Sequence, residues 1–115
     1  MSDIKKLTEI IIRYRDERDW KQFHNPKDLA LSLVLEAAEV TEHFQWKNST
    51  EIKAYVRTNK DDIGEELADV LYWVLLLSHD LGIDIQEALE KKMEKNRTKY
   101  PIEKAKGKHT KYTKL

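Results

Sequence analysis

A chain of 115 residues with 37 % charged side chains, 21 basic against 21 acidic, reads as one domain without net charge, which argues against a protein that coats DNA or RNA. It has no cysteine, so disulfide frames, thiol nucleophiles and zinc–thiolate sites are excluded. The charge is unevenly spread: residues 91–115 hold ten Lys or Arg against Glu94 and Glu103, a local +8 that leaves −8 on residues 1–90, hence an acidic body with a basic arm.

With three Gly and two Pro, the chain is expected to be almost entirely helical. A first helix is predicted from Ser2 to Trp20, with Ile4, Leu7, Ile11 and Tyr14 on one apolar side. The run "FHNPKD" breaks it, and Asn25-Pro26 opens a second helix over Pro26 to Trp46. Asn48 and Glu51 have capping-box spacing for a short helix ending near Arg57. A third helix spans Asp61 to Leu81 and stops at Gly82. Asp84 and Glu87 form a second capping box for a fourth helix, which ends before Pro101. Four main helices with short joins predict an all-α, four-helix bundle over residues 1–101, followed by a basic tail over 102–115. Neither a secretory signal nor a run of about 20 apolar residues is present; the longest, Leu67 to Leu81, contains Asp69 and His79. A soluble, cytoplasmic protein with no membrane partner is therefore expected.

Two helices carry acids where apolar residues belong. On the second, Glu36 falls inside the stripe Leu29, Leu33, Val40, with Glu39 beside it at i+3. On the third, Asp69 is the only charge in "LADVLYWVLLL", and Glu66 precedes it by three residues. That helix is apolar nearly all round, which predicts a buried Asp69 and a partner helix from another subunit. Buried carboxylates cost several kcal/mol unless paired, and four together repel. Neither Leu29–Phe44 nor Leu67–Leu77 contains a Lys or Arg, so the expected compensation is a hard divalent cation, Mg²⁺ or Mn²⁺. A ferritin-like di-iron centre fits less well, because it needs Glu-x-x-His pairs. Magnesium held by carboxylates commonly also binds phosphates. Trp20 and Trp46, at helix ends in polar surroundings, could stack on a flat base. Trp73 reads as a core or interface anchor, and His43, His79 and His109 as partly exposed structural residues.

The stretches "RDWKQFHNPKDLALSLVLEAAEVTEHFQW", "EELADVLYWVLLL" and "KNRTKYP" resemble the MazG-like all-α nucleoside triphosphate pyrophosphohydrolases, most of all their dCTP pyrophosphatase branch. The likeness runs over roughly residues 5–101. It implies hydrolysis of (deoxy)nucleoside triphosphates, dCTP among them, to the monophosphate and pyrophosphate, for nucleotide-pool cleaning. It implies Mg²⁺ on Glu36, Glu39, Glu66 and Asp69, base and sugar held by Trp20, Trp46 and Tyr72, and phosphates met by His24, Lys92, Asn96 and Arg97. For His24 a capping or turn role is an equal alternative, and for the other three a solvated helix end is. Family members assemble as homodimers or homotetramers, and Tyr112 and Leu115 of the tail are expected to lie across a neighbouring subunit.

Two positions depart from the family pattern. Leu35 stands where many relatives carry an additional glutamate, which leaves Glu36 and Glu39 both open as the general base. Ile11 stands where dCTP enzymes carry a histidine, which puts cytosine preference in question. Two competing readings are a non-catalytic helical interaction module and a related pyrophosphohydrolase acting on dUTP or another phosphorylated metabolite.

Overall fold

Side-chain caps set where the helices begin. In the computed structural model, which describes residues 2–115, Ser2 accepts the Lys5 N–H and opens α1 (Asp3–Glu17). Asn25 accepts the Asp28 N–H at 2.9 Å, with Pro26 as the first residue of α2 (Pro26–Glu42). Asn48 and Glu51 form a reciprocal capping box, with bonds of 2.9 and 3.2 Å, at the start of α3 (Ser49–Asp80). Asp84 caps α4 (Ile85–Lys99), but only half of the second capping box forms. The Glu87 carboxylate turns instead to Lys91 at 2.7 Å. Such caps satisfy backbone donors that the first turn leaves open, so Asn48→Ala is expected to lower stability by about 1 kcal/mol in urea titration.

Helix ends differ more from expectation than helix starts. The first helix stops at Glu17 rather than Trp20, because Asp19 turns the chain with a φ of 54°. The second stops at Glu42 rather than Trp46, and Trp46 itself takes a φ of 70°. That is an unusual backbone for a bulky residue. The short helix predicted after Asn48 and the third helix run together as one 32-residue element. A kink at Asn59 (φ −126°, ψ 20°) marks the join, where the Asn59 amide donates to the Tyr55 carbonyl at 2.9 Å. Gly82 ends α3 as expected, with a φ of 68° that only glycine adopts without strain.

By internal contacts the chain divides into two units, the first reaching Gly82 and the second starting at Ile83. In the first, α2 and α3 lie along one another and α1 packs on α3. Leu29, Leu75 and Leu76 are fully buried there, and Ser78 bonds back to the Val74 carbonyl. In the second, α4 is followed by α5 (Ile102–Ala105) and a tight turn at Tyr112–Lys114. The tail is thus partly structured: Tyr112 meets Tyr100 edge-on at 5.9 Å, with the Lys99 ammonium over its ring. There is no strand among the described residues, and no described helix is long and apolar enough to cross a membrane.

Candidate active site

Pairing α2 with α3 brings the two acidic motifs together. Carboxylate oxygens of Glu36, Glu39 and Glu66 lie within 4.8 Å of one another. One oxygen each of Glu36 and Glu66 is buried without a hydrogen-bond partner. Burial raises the Glu36 carboxyl above its usual range, and the charges of Glu39 and Asp69 push it further. The close approach of the Glu39 carboxylate is the largest influence on Glu66, ahead of burial and of repulsion from Glu39, Glu36 and Asp69, and its pKa reaches about 7. No cationic side chain contributes at either group. Of the neighbours that act on Glu36, the Trp73 side chain alone favours its ionised form and holds it partly down. Clustered acids with unpaired buried oxygens and no cation fit a hard divalent metal.

Asp69 differs from the sequence expectation. It is exposed and stands outside the three-acid group, although its charge is felt at Glu36 and Glu66. The apolar run around it does not enclose it, because that side of α3 is open in the single chain. Leu67 is 53 % and Leu71 43 % exposed.

Glu36 and Asp69 also line a hollow of about 410 Å³ walled by Ile10, Ile11, Tyr14, Trp20, Tyr72 and Trp73. The aromatic rings meet edge to face: Tyr14 with Trp20 at 5.7 Å, Tyr14 with Tyr72 at 6.3 Å, Tyr72 with Trp73 at 4.9 Å. Burial, with Tyr14 adding to it, raises the Tyr72 hydroxyl above its ordinary range, so it stays protonated and able to donate. Trp20 and Tyr72 are therefore brought to the acids, as is Ile11. Trp46 is not among the lining residues and is 92 % exposed. Trp73, read from sequence as an anchor, is half-buried and lines the hollow. Tyr14 was legible only as part of an apolar helix face.

His24 sits behind this wall. Its ring meets Trp73 edge-on at 5.8 Å, and its Nδ1 lies 3.5 Å from the Arg15 guanidinium. Burial lowers its pKa, and the Arg15 charge lowers it further. Arg15 is buried and holds Asp80 through two bonds of 2.7 and 2.9 Å. Nothing in the local sequence marked this pair, whose members are 65 residues apart. In the second unit, Lys92, Asn96 and Arg97 lie on α4. Asn96 is half-buried and its carbonyl accepts the Tyr100 N–H, whereas Lys92 and Arg97 are exposed and Arg97 pairs with Glu94.

Comparison with known proteins adds a lineage to this geometry. The MazG-like family model matches residues 31–115. The dCTP pyrophosphatase 1 of Mus musculus is 38 % identical over the whole of this chain, which spans 67 % of that protein. The Homo sapiens protein of the same name is 37 % identical with the same coverage. A crystal structure of a pyrophosphatase from Archaeoglobus fulgidus superposes with a TM-score of 0.82 at 40 % identity, covering 88 % of this chain and 94 % of that one. With paired acidic motifs on adjoining helices, a family match over most of its length and these relatives, the chain belongs to the MazG-like family.

Proposed function

We propose that the protein is a nucleoside triphosphate pyrophosphohydrolase, with dCTP and related dNTPs as substrates and the monophosphate and pyrophosphate as products. The observation that carries this reading is a single hollow with aromatic walls and carboxylates of both acidic motifs on its lining. Flat rings suit a base and sugar, and acids without a cation suit a metal-bound phosphate chain. The relatives named dCTP pyrophosphatase support the substrate class.

In this reading Glu36, Glu39, Glu66 and Asp69 hold Mg²⁺, with Mn²⁺ as a substitute. Bound there, the cation supplies charge neutralisation at the phosphates and a lowered pKa for the attacking water. Glu36 and Glu39 are the candidate proton acceptors for that water. Trp20 and Tyr72 hold base and sugar, and His24, Lys92, Asn96 and Arg97 serve the phosphates. Trp46, turned outward from its own hollow, serves base binding at a second copy. Exposed Leu31, Val34 and Leu35 on α2, with Leu67 and Leu71 on α3, supply an apolar face for a homodimer or homotetramer. Residues 1–101 are the catalytic domain and 102–115 its basic tail, and the work is cytoplasmic nucleotide-pool cleaning. Ile11 lines the hollow without a polar atom to read cytosine, which favours a wider base range that includes dUTP.

The test is chromatographic product analysis with all four dNTPs, dUTP and the ribonucleotides, with and without Mg²⁺. Monophosphate plus pyrophosphate, only with metal and better from deoxynucleotides, is the expected result. A protein that releases pyrophosphate from none of them would refute the reading and favour a non-catalytic helical module.

A further inference from the structure

We propose that Arg15 and Asp80 act as positioning residues that hold the aromatic wall of the hollow in register with the acids, an inference that rests on the substrate reading above. Arg15 is 1 % exposed near the end of α1, and its guanidinium grips both oxygens of Asp80 on the last turn of α3. A buried bidentate pair of this kind fixes orientation more than it adds stability. Two parts of the wall hang from it. The Arg15 carbonyl accepts the N–H groups of Arg18 and Trp20, both at 3.2 Å, so the turn that delivers the Trp20 ring starts from a residue pinned by its side chain. That turn passes through Asp19 at a φ of 54°, a strained backbone that persists only where its surroundings hold it. The guanidinium also faces His24 at 3.5 Å, and His24 lies edge-on against Trp73, which lines the hollow together with Glu36. Trp46 lies outside the hollow of its own chain and, read without nucleotide, serves as an internal control.

The pair can be removed without leaving a buried orphan charge. In Arg15→Met/Asp80→Leu both partners become apolar, a replacement that is often neutral or stabilising, and the protein is expected to stay folded. Two readouts are made on the full chain. With dCTP and Mg²⁺, KM is expected to rise at least about fivefold while kcat changes less than about twofold, since binding surface moves and the acids do not. With 5-fluorotryptophan, the fluorine resonances of Trp20 and Trp73 are expected to shift and that of Trp46 to stay. Unchanged KM with unmoved resonances, or a shift shared equally by all three tryptophans, would overturn the proposal. If the double variant does not fold, Arg15→Lys keeps the charge but cannot grip both oxygens, and the same two resonances must move. A wild type without turnover would refute the substrate reading, and the fluorine spectra alone would then decide the positioning role.

Discussion

Glu39→Gln and Asp69→Asn are each expected to lower turnover of dCTP at least about 10³-fold, roughly 4 kcal/mol of transition-state stabilisation. The same variants should lose the stabilisation that Mg²⁺ gives the wild type. Metal at about a hundred times its Kd adds about 2.7 kcal/mol, equivalent to roughly ten degrees in Tm for a domain of this size. The two substitutions act from different places. Glu39 lies inside the group of three acids, whereas Asp69 lines the hollow beside it. Without metal, both variants should melt no lower than the wild type, because each removes a charge that repels its neighbours. Glu42→Gln, an exposed acid on the last turn of α2, should leave turnover and the Mg²⁺ response unchanged. Loss of activity with the full Mg²⁺ response retained in Asp69→Asn would take that residue out of the metal site.

The second expectation concerns pH and reverses sign when metal is added. Glu66 titrates near pH 7 in the folded protein against 4.5 for an ordinary glutamate. A carboxyl raised on folding contributes stability that is fully present below about pH 4.5 and is lost as pH rises through about 7. The metal-free protein should therefore lose stability from this group between pH 5 and pH 8. His24 works the other way, because its depressed pKa adds stability as pH rises through its unfolded value of 6.5. Asp80, held below the usual carboxylate range by Arg15, changes nothing in this window. Subtracting the Glu66→Gln melting profile from that of the wild type isolates the acidic group, and the difference should fall with pH. Metal binding needs the ionised carboxylates, so Mg²⁺ should raise Tm more at pH 8 than at pH 5. An equal rise at both would show that the metal binds elsewhere.

How much of this could be read beforehand depended on how far apart the determining residues lie. Caps at Asn25, Asn48 and Asp84 involve a side chain and a backbone N–H three residues apart, so sequence shows them directly. The ends at Asp19 and Trp46 were misplaced because non-glycine residues make the left-handed turns there, and no Gly or Pro gives warning. The Asn59 join was missed for a related reason: a side-chain amide carries the bend, without a breaker residue. The paired acids were legible because burying a charge among leucines is costly enough to stand out. Arg15 and Asp80 were not, since each alone reads as an ordinary surface charge and only the fold joins α1 to the end of α3. Asp69 failed as a buried residue because a helix apolar all round states only that it wants covering, not that its own chain covers it.

The bend at Asn59 also divides α3 by how readily it opens. Every buried residue of that helix, Leu75, Leu76 and Ser78, lies beyond the bend, and none lies before it. The non-helical backbone at Asn59 is where the segment from Ser49 to Thr58 is expected to unfold locally without dragging the rest along. Its amides should exchange with solvent through that small opening, while those beyond Asn59 wait for a larger one. Glu66 and Asp69 ride on the slow half. The acids thus keep their spacing against Glu36 and Glu39 while the front of the same helix breathes.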